Sequence, residues 1–435
     1  MDRDIPQPTG RPAALPSSAQ DEGLVDVRLP VWWTFAGLVG GLALGALLPS
    51  GALADAIGAV ADPVGTLWLR ALQMTIIPLV ASLLVMGIAR MVRAARAGRA
   101  ARRMLALVFA ILVFSGLVSA LLMPALLAAV PIPSSASALL AGGAGMEEQQ
   151  VPGIGDFVSS LVAPNLFAAA AETAMLPLTL FFALFAVAIT RLSDSQSETL
   201  LRFFRALGNA MLTIIGWVLW LAPAGVFALA FGVAQEAGGD GAFATLIHYI
   251  LTVSAMGLVV LLAAYLLAYA FGGIGMPRFA RAMIPSQAVA LSTQSSLASL
   301  PAMLDSARRL RLREETADFV LPLAVAIFRA TSPAMNMAVA IYVATLVGID
   351  LPLPVLLAGV AVAFVISVGS VSLPGSISFV VSIGPIALAM GVPIEPLALL
   401  VAVEMLPDIM RTLGNVTMNV AVTSMVDRGS QDAAD

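Results

Sequence analysis

The stretch Ser292-Thr293-Gln294-Ser295-Ser296-Leu297-Ala298-Ser299-Leu300-Pro301 decides the fold. It interrupts an apolar run, Ala288 to Leu304, with hydroxyl and amide side chains and then a proline. Backbone freed from helical bonding cannot face hydrocarbon, because an unsatisfied polar group is costly there, so the break must be buried in protein or line a cavity. The run therefore reads as a re-entrant hairpin rather than a simple span. A second run, Pro354 to Met390, is broken in the same way by Ser367-Val368-Gly369-Ser370 and then Ser372-Leu373-Pro374-Gly375-Ser376.

The two runs resemble one another. Ser-Leu-Pro recurs at Ser299-Leu300-Pro301 and Ser372-Leu373-Pro374, and each copy precedes a helix with a polar asparagine, Asn336 and Asn415, at a similar distance. Paired interrupted segments in two parts of a membrane chain mark a repeat-built secondary transporter with its site at the midplane. Two unrelated proline kinks are the simpler alternative.

Composition agrees with residence in lipid. The chain of 435 residues is 60% hydrophobic and 11% charged, with mean hydropathy +0.98, whereas soluble domains are about 45–50% apolar and about 25% charged. Every basic residue is arginine, and a formal net charge of −4 is too small and dispersed to call for a nucleic-acid partner. The absence of cysteine excludes disulfides and thiolate metal sites, and a lone histidine, His248, argues against a histidine-built zinc site. No cofactor is expected.

Residues 1–28 are polar and lack apolar periodicity, which reads as a disordered N-terminal tail. The first apolar run, Leu29 to Leu48, has the length of a span rather than of a cleaved signal segment. Seven more runs are long enough to cross about 30 Å of hydrocarbon. They are Val64 to Ala89, Met104 to Val130, Phe157 to Thr190, Leu200 to Val233, Leu246 to Phe271, Phe319 to Val347 and Pro396 to Met425. The expected fold is thus an all-α polytopic membrane protein of eight transmembrane helices and two re-entrant hairpins, with a C-terminal tail over 428–435.

Arginines orient it. They crowd the connection from Arg90 to Arg103, the one holding Arg191, Arg202 and Arg205, and the flanks of the first hairpin at Arg278, Arg281, Arg308, Arg309, Arg311 and Arg313. Those connections should be cytoplasmic, and the alternate, arginine-free ones should lie outside. The first hairpin then enters from the cytoplasm and the second from outside, as an inverted repeat requires. This places the protein in the cell inner (plasma) membrane as a multi-pass protein with both termini cytoplasmic.

Charge within a span is expensive and marks a functional site by default. The set is Glu172, Arg329, Glu404, Asp408 and Arg411, of which Glu172, in Ala171-Glu172-Thr173-Ala174, stands in a less apolar stretch that reads as a break between short helices or as a polar structural position. Glu404, Asp408 and Arg411 stand at i, i+4 and i+7 on the last helix, hence on one face, and Asn415 continues it with Thr412 alongside. This stripe offers a guanidinium for a carboxylate, an aspartate for an ammonium group, and amide and hydroxyl groups for the rest of a small zwitterion. An internal Asp408–Arg411 pair serving packing is the alternative. Ser295, Ser296 and Ser299 lack the base and the glycine-flanked elbow of a serine enzyme, so a hairpin tip receiving an anion is the preferred reading. His248 reads as a packed or interfacial histidine.

These residues resemble the dicarboxylate/amino acid:cation symporter family, the glutamate transporter homologues, over about Leu29 to Asp427. The most specific match is Asp408-Ile-Met-Arg411-Thr412-Leu-Gly-Asn415-Val-Thr, similar to the family's last-helix pattern. Ser295-Ser296-Leu-Ala-Ser299-Leu300-Pro301 is similar to the first hairpin tip, and Ser367-Val368-Gly369-Ser370-Val-Ser-Leu-Pro374-Gly375 to the second. The resemblance implies an elevator-type carrier, usually a homotrimer, for a small acidic solute such as an acidic amino acid or a C4-type dicarboxylate. It implies scaffold and trimerisation elements over 29–103 and 157–234, and transport-domain elements over 104–130 and 245–427. By family roles Arg411 binds the substrate carboxylate, Asp408 its amino group, and Thr412 and Asn415 the remainder. Ser295, Ser296, Pro374 and Gly375 would close over it.

The sequence also departs from the family. Its Asn-Met-Asp-Gly-Thr element reads Asn336-Met337-Ala338-Val339-Ala340, a second position that often carries a sodium-binding aspartate is Asn419, and Ile111 and Leu112 stand near hydroxyl ligand positions. Losing the carboxylate removes the main attraction for a hard cation. Sodium sites are thereby degraded at Asn336 and Asn419, and one built largely from carbonyls at Ser367, Val368 and Ser370 is left. Arg329 adds a fixed positive charge nearby. Proton coupling through Glu404 or Asp408, or uncoupled exchange of a small organic anion, is the alternative to sodium symport. A membrane-embedded serine enzyme and a non-transporting receptor are the competing classes.

Overall fold

A computed structural model of the protein describes residues 31–49, 51–96, 98–133, 159, 161–237, 239–369 and 375–431. Every secondary-structure element among these residues is a helix. In chain order the helices are α1 (Val31–Leu47), α2 (Ala52–Ala95), α3 (Arg99–Ala129), α4 (Leu166–Ala171), α5 (Met175–Ile189), α6 (Asp194–Trp220), α7 (Ala222–Ala237) and α8 (Gly239–Ala270). The second half holds α9 (Met276–Thr293), α10 (Leu300–Arg309), α11 (Glu314–Ile327), α12 (Thr331–Leu346), α13 (Leu353–Gly369), α14 (Gly375–Ala389), α15 (Glu395–Leu400) and α16 (Met405–Gln431). Among the described residues, five helical runs are long and apolar enough to cross a membrane: Ala52–Ala95, Arg99–Ala129, Asp194–Trp220, Phe243–Ala270 and Glu314–Leu346.

Four runs read as single spans are each two helices. Phe157 to Thr190 contains α4 and α5, Leu200 to Val233 contains α6 and α7, Phe319 to Val347 contains α11 and α12, and Pro396 to Met425 contains α15 and α16. A proline follows every break within the first turn of the next helix: Pro177, Pro223, Pro333 and Pro407. There its missing N–H falls among amides that have no helical partner anyway, while its ring disfavours a helical residue before it. Hydropathy summed over a window does not register such a stop. The last helix also runs on to Gln431 rather than ending at residue 427.

The first hairpin is a helix pair. α9 ends at Gln294, which adopts a left-handed conformation (φ 49°), and α10 starts after Ser299 with Pro301 in its first turn. Ser286 meets Ser306 Oγ at 2.6 Å, and Ser306 donates to the Ala282 carbonyl at 2.7 Å, so a buried hydroxyl pair clasps the two arms. Gln287 ties the hairpin to α16 by donating to Thr417 Oγ1 at 3.0 Å. α13 and α14, expected as the arms of the second hairpin, pack against one another; its tip, 370–374, lies outside the described residues. Each pair is followed by a broken helix, α11/α12 and α15/α16, so the repeat extends beyond the Ser-Leu-Pro motif.

Elsewhere α1 packs along α7, α2 along α6 and α7, α12 along α3 and α8, and α16 along α8. Gly37, Gly41 and Gly45 form the seam of α1 on α7: a Cβ at Gly45 would meet the Phe231 carbonyl and the Ala234 methyl, each at 2.7 Å. Small residues spaced by four let helix backbones approach without a hydrophobic drive between them. Gln235 closes the end of this seam, donating to the carbonyls of Gly45 (2.7 Å) and Leu48 (3.0 Å).

Candidate functional site

The break between α15 and α16, a turn over Val401–Glu404, and the first three turns of α16 carry the charged stripe. Glu404, Asp408, Arg411, Thr412 and Asn415 are all buried. Helical spacing stacks them on one face, and packing against α8 and α12 supplies their partners. Arg411 donates to Glu404 Oε1 at 2.7 Å and to Asn336 Oδ1 on α12 at 2.6 Å, and its Nε lies 3.2 Å from Asp408 Oδ1. Tyr249 of α8 donates to the other Glu404 oxygen at 3.0 Å. A buried guanidinium thus meets two carboxylates and an amide oxygen, which offsets the loss of its hydration.

The second break, between α11 and α12, lies against this cluster. Phe328 is extended there (φ −122°, ψ 118°), and the Ala330 carbonyl left over accepts from Ser115 of α3 at 2.6 Å. Asn415 Oδ1 accepts from both the backbone N–H (3.0 Å) and the hydroxyl (2.9 Å) of Thr331, capping the start of α12. The Thr331 hydroxyl also lies 3.0 Å from the Arg411 carbonyl. The two breaks are therefore stitched together by side chains rather than left with bare backbone, as a low-dielectric setting demands.

The structure brings Glu404, Asp408, Arg411, Asn336 and Asn415 into one network, with Thr412 buried beside it. Arg329 sits in the second break, close enough to interact electrostatically with Asp408 and Arg411. Ser295 and Ser296 are half-buried at the first hairpin tip, where Ser295 Oγ accepts from the Ala298 amide at 3.2 Å. Among the described residues no hydrogen bond joins either serine to α16. Ser367 and Val368 are buried at the end of α13, and Val368 shares a core with Phe328, Ala330 and Val416. Gly375 begins α14, whereas Ser370 and Pro374 lie outside the described residues. Glu172 is exposed at the end of α4.

The donor set near Ala338 suits a bound cation poorly. Asn336 presents its oxygen to Arg411, and its buried Nδ2, a donor, has no partner among the described residues. Asn419 is buried with neither carboxamide atom hydrogen-bonded among the described residues, which leaves one neutral oxygen and no carboxylate. Among the described residues no cluster of three acidic or histidine side chains occurs.

Sequence reasoning missed Tyr249, Ser115 and Thr331. A tyrosine inside an apolar helix and a threonine just after Arg329 were the available signals, but their partners lie 80 or more residues away in the chain. His248 meets Tyr342 Oη at 3.2 Å and the Val130 carbonyl at 3.0 Å, a packed position.

The profile of the sodium:dicarboxylate symporter family matches residues 31–429. The chain belongs to this family. It is a membrane transporter and not an enzyme, which sets the serine-enzyme alternative aside. Relatives in the symporter family include the proton/sodium-glutamate symport protein of Bacillus subtilis (strain 168), 27% identical over 415 residues, 91% of each chain. The proton/glutamate-aspartate symporter of Escherichia coli (strain K12) is 26% identical over 390 residues, 84% of each chain. The C4-dicarboxylate transport protein 1 of Pseudomonas paraeruginosa is 27% identical over 286 residues, covering 65% of this chain and 63% of its own.

Proposed function

We propose that the protein is a secondary active transporter of a small acidic solute, an acidic amino acid or a C4-type dicarboxylate, working by alternating access of the elevator type. The observation that carries this reading is the buried Glu404–Arg411–Asp408 cluster at the α15/α16 break, packed against the α11/α12 break. Relatives named for glutamate, aspartate and C4-dicarboxylates support the solute class. Arg411 supplies a charge for a carboxylate, and its internal partners yield to the substrate. Asn415 has its oxygen engaged by Thr331, which leaves its amide N–H groups to donate.

Coupling follows from the donor set. Ala338 and the neutral Asn419 stand where a cation would need carboxylates, so sodium acts through at most the carbonyl site of Ser367, Val368 and Ser370. Glu404 is positioned to exchange Arg411 for a proton when a substrate carboxylate arrives, which makes proton symport the favoured drive and uncoupled exchange the second reading. The arginine distribution supports a multi-pass arrangement in the cell inner membrane with cytoplasmic termini. The resemblance supports a homotrimer with 29–103 and 157–234 as scaffold and 104–130 and 245–427 as transport elements. The decisive experiment is uptake by proteoliposomes, crossing glutamate, aspartate, succinate and malate with sodium and pH gradients. Accumulation of an acidic solute driven by a pH gradient is expected. No uptake of any of the four under any gradient refutes the reading.

A further inference from the structure

Arg329 differs from the other charge in the interior. Arg411 is met by Glu404, Asp408 and Asn336, whereas no hydrogen bond or ion pair among the described residues reaches the guanidinium of Arg329. Its backbone is nevertheless held firmly. On one side Ser115 binds the Ala330 carbonyl, and on the other Asn415 binds the Thr331 amide. Phe328 and Ala330, its chain neighbours, are fully buried in the core beneath. Arg329 is only partly exposed, on a pinned backbone and with no partner for its donors among the described residues, and this favours an anion, because a charge removed from water needs a counter-charge.

The charges that act on Arg329 are Asp408, which attracts it, and Arg411, which repels it. Asp408 therefore faces two cations, one of them already 3.2 Å away. That is a poor seat for the ammonium group of an amino acid, since like charges brought together across a desolvated site oppose binding. It is a good neighbourhood for carboxylates, which a planar guanidinium holds through two parallel hydrogen bonds.

We propose that Arg329 is a substrate-binding residue which, with Arg411, makes the site select a dicarboxylate without an amino group over an acidic amino acid. The inference rests on the transport reading given above and narrows its solute class. One carboxylate is received by Arg329, and the other by Arg411 as Glu404 yields its 2.7 Å contact.

The test is calorimetric titration of the purified full-length protein with succinate and with L-aspartate at one fixed pH and sodium concentration. The wild type is expected to bind succinate at least about tenfold more tightly than aspartate, and R329Q to lower that ratio by at least about tenfold. R329K, which keeps the charge, should hold the ratio within about fivefold of wild type. A wild-type ratio at or below unity, a ratio unchanged in R329Q, or an R329K as altered as R329Q overturns the proposal while leaving the transport reading in place. If the wild type binds neither solute, both readings fall. Where R329Q fails to fold, labelling the wild-type protein with an arginine-selective dicarbonyl reagent decides: Arg329 should be modified in its absence and protected by succinate, and modification unaffected by succinate refutes the assignment.

Discussion

Replacing Glu404 by glutamine removes one charge from the centre of the site and little else. The glutamine retains an oxygen that can accept from Arg411 in place of the 2.7 Å contact, and its amide fills the same buried volume beneath Tyr249. What is lost is charge assistance. A hydrogen bond to a charged group contributes about 1.5–3 kcal/mol net, and that is the competition a substrate carboxylate must overcome to reach Arg411. Releasing it should tighten acidic-solute binding at neutral pH by about ten- to a hundredfold. In the wild type the same release is obtained by moving a proton onto Glu404 as substrate binds. Affinity should then rise toward acid pH by up to about tenfold per pH unit, because binding takes up one proton. The assay is titration calorimetry across pH, paired with proteoliposome uptake. E404Q should show a flat pH profile at the acid-limit affinity of the wild type, lose accumulation driven by a pH gradient, and keep solute counterflow. An E404Q profile that runs parallel to wild type, with pH-driven accumulation intact, refutes the assignment of Glu404 as proton carrier.

Truncating Arg411 to alanine leaves Glu404 and Asp408 facing each other without their counter-charge. The cost of breaking such a pair is about 2–5 kcal/mol, so acidic-solute affinity should fall by at least tenfold in the same titration. Sodium should stimulate uptake weakly, with a Hill coefficient of about one, because only one carbonyl-built site is left; steep, pH-independent sodium dependence would mean that the asparagines rebuild the missing sites. Ser299 is fully buried at the first tip, so a Ser299→Cys probe in this cysteine-free chain should react with an impermeant thiol reagent from the cytoplasmic side as the hairpin opens, and labelling from outside alone contradicts the inverted arrangement. Gly45→Val drives a side chain into the Phe231 carbonyl and the Ala234 methyl; overpacking of this kind costs about 1–3 kcal/mol and should lower the unfolding temperature of the purified protein.

Much of the site was legible because helical spacing is a local property. The i, i+4, i+7 placement of Glu404, Asp408 and Arg411 puts them on one face whatever surrounds them, and the polar interruptions at 292–301 and 367–376 announce backbone that lipid cannot host. The partners of those charges were not legible. Tyr249 reaches Glu404 across 155 positions of sequence, and Asn336 reaches Arg411 across 75. Asn336 read as a cation ligand from its motif, yet its oxygen faces a guanidinium. The break at Glu172 was signalled by its less apolar stretch, but the other three escaped for a different reason: one proline and one to four residues between helices barely change the mean hydropathy of a long window, yet they redirect the chain.

The sequence alone determined that this chain resides in a membrane, since a chain so poor in charge cannot cover its surface for water. It also determined that the chain is helical, that two interrupted runs recur, and that Asp408 and Arg411 share one face of the last helix, whereas Glu404, expected on the same helix, stands in the turn just before it. Only the tertiary structure decided which of the interior charges is satisfied. Arg411 and Arg329 are chemically identical, and nothing in their flanking residues says that one is held by two carboxylates and an amide while the other has no hydrogen-bond or ion-pair partner among the described residues. That distinction depends on distances between helices that are remote in sequence. Hydrogen bonds and ion pairs at 2.6–3.2 Å exist only where packing sets those distances.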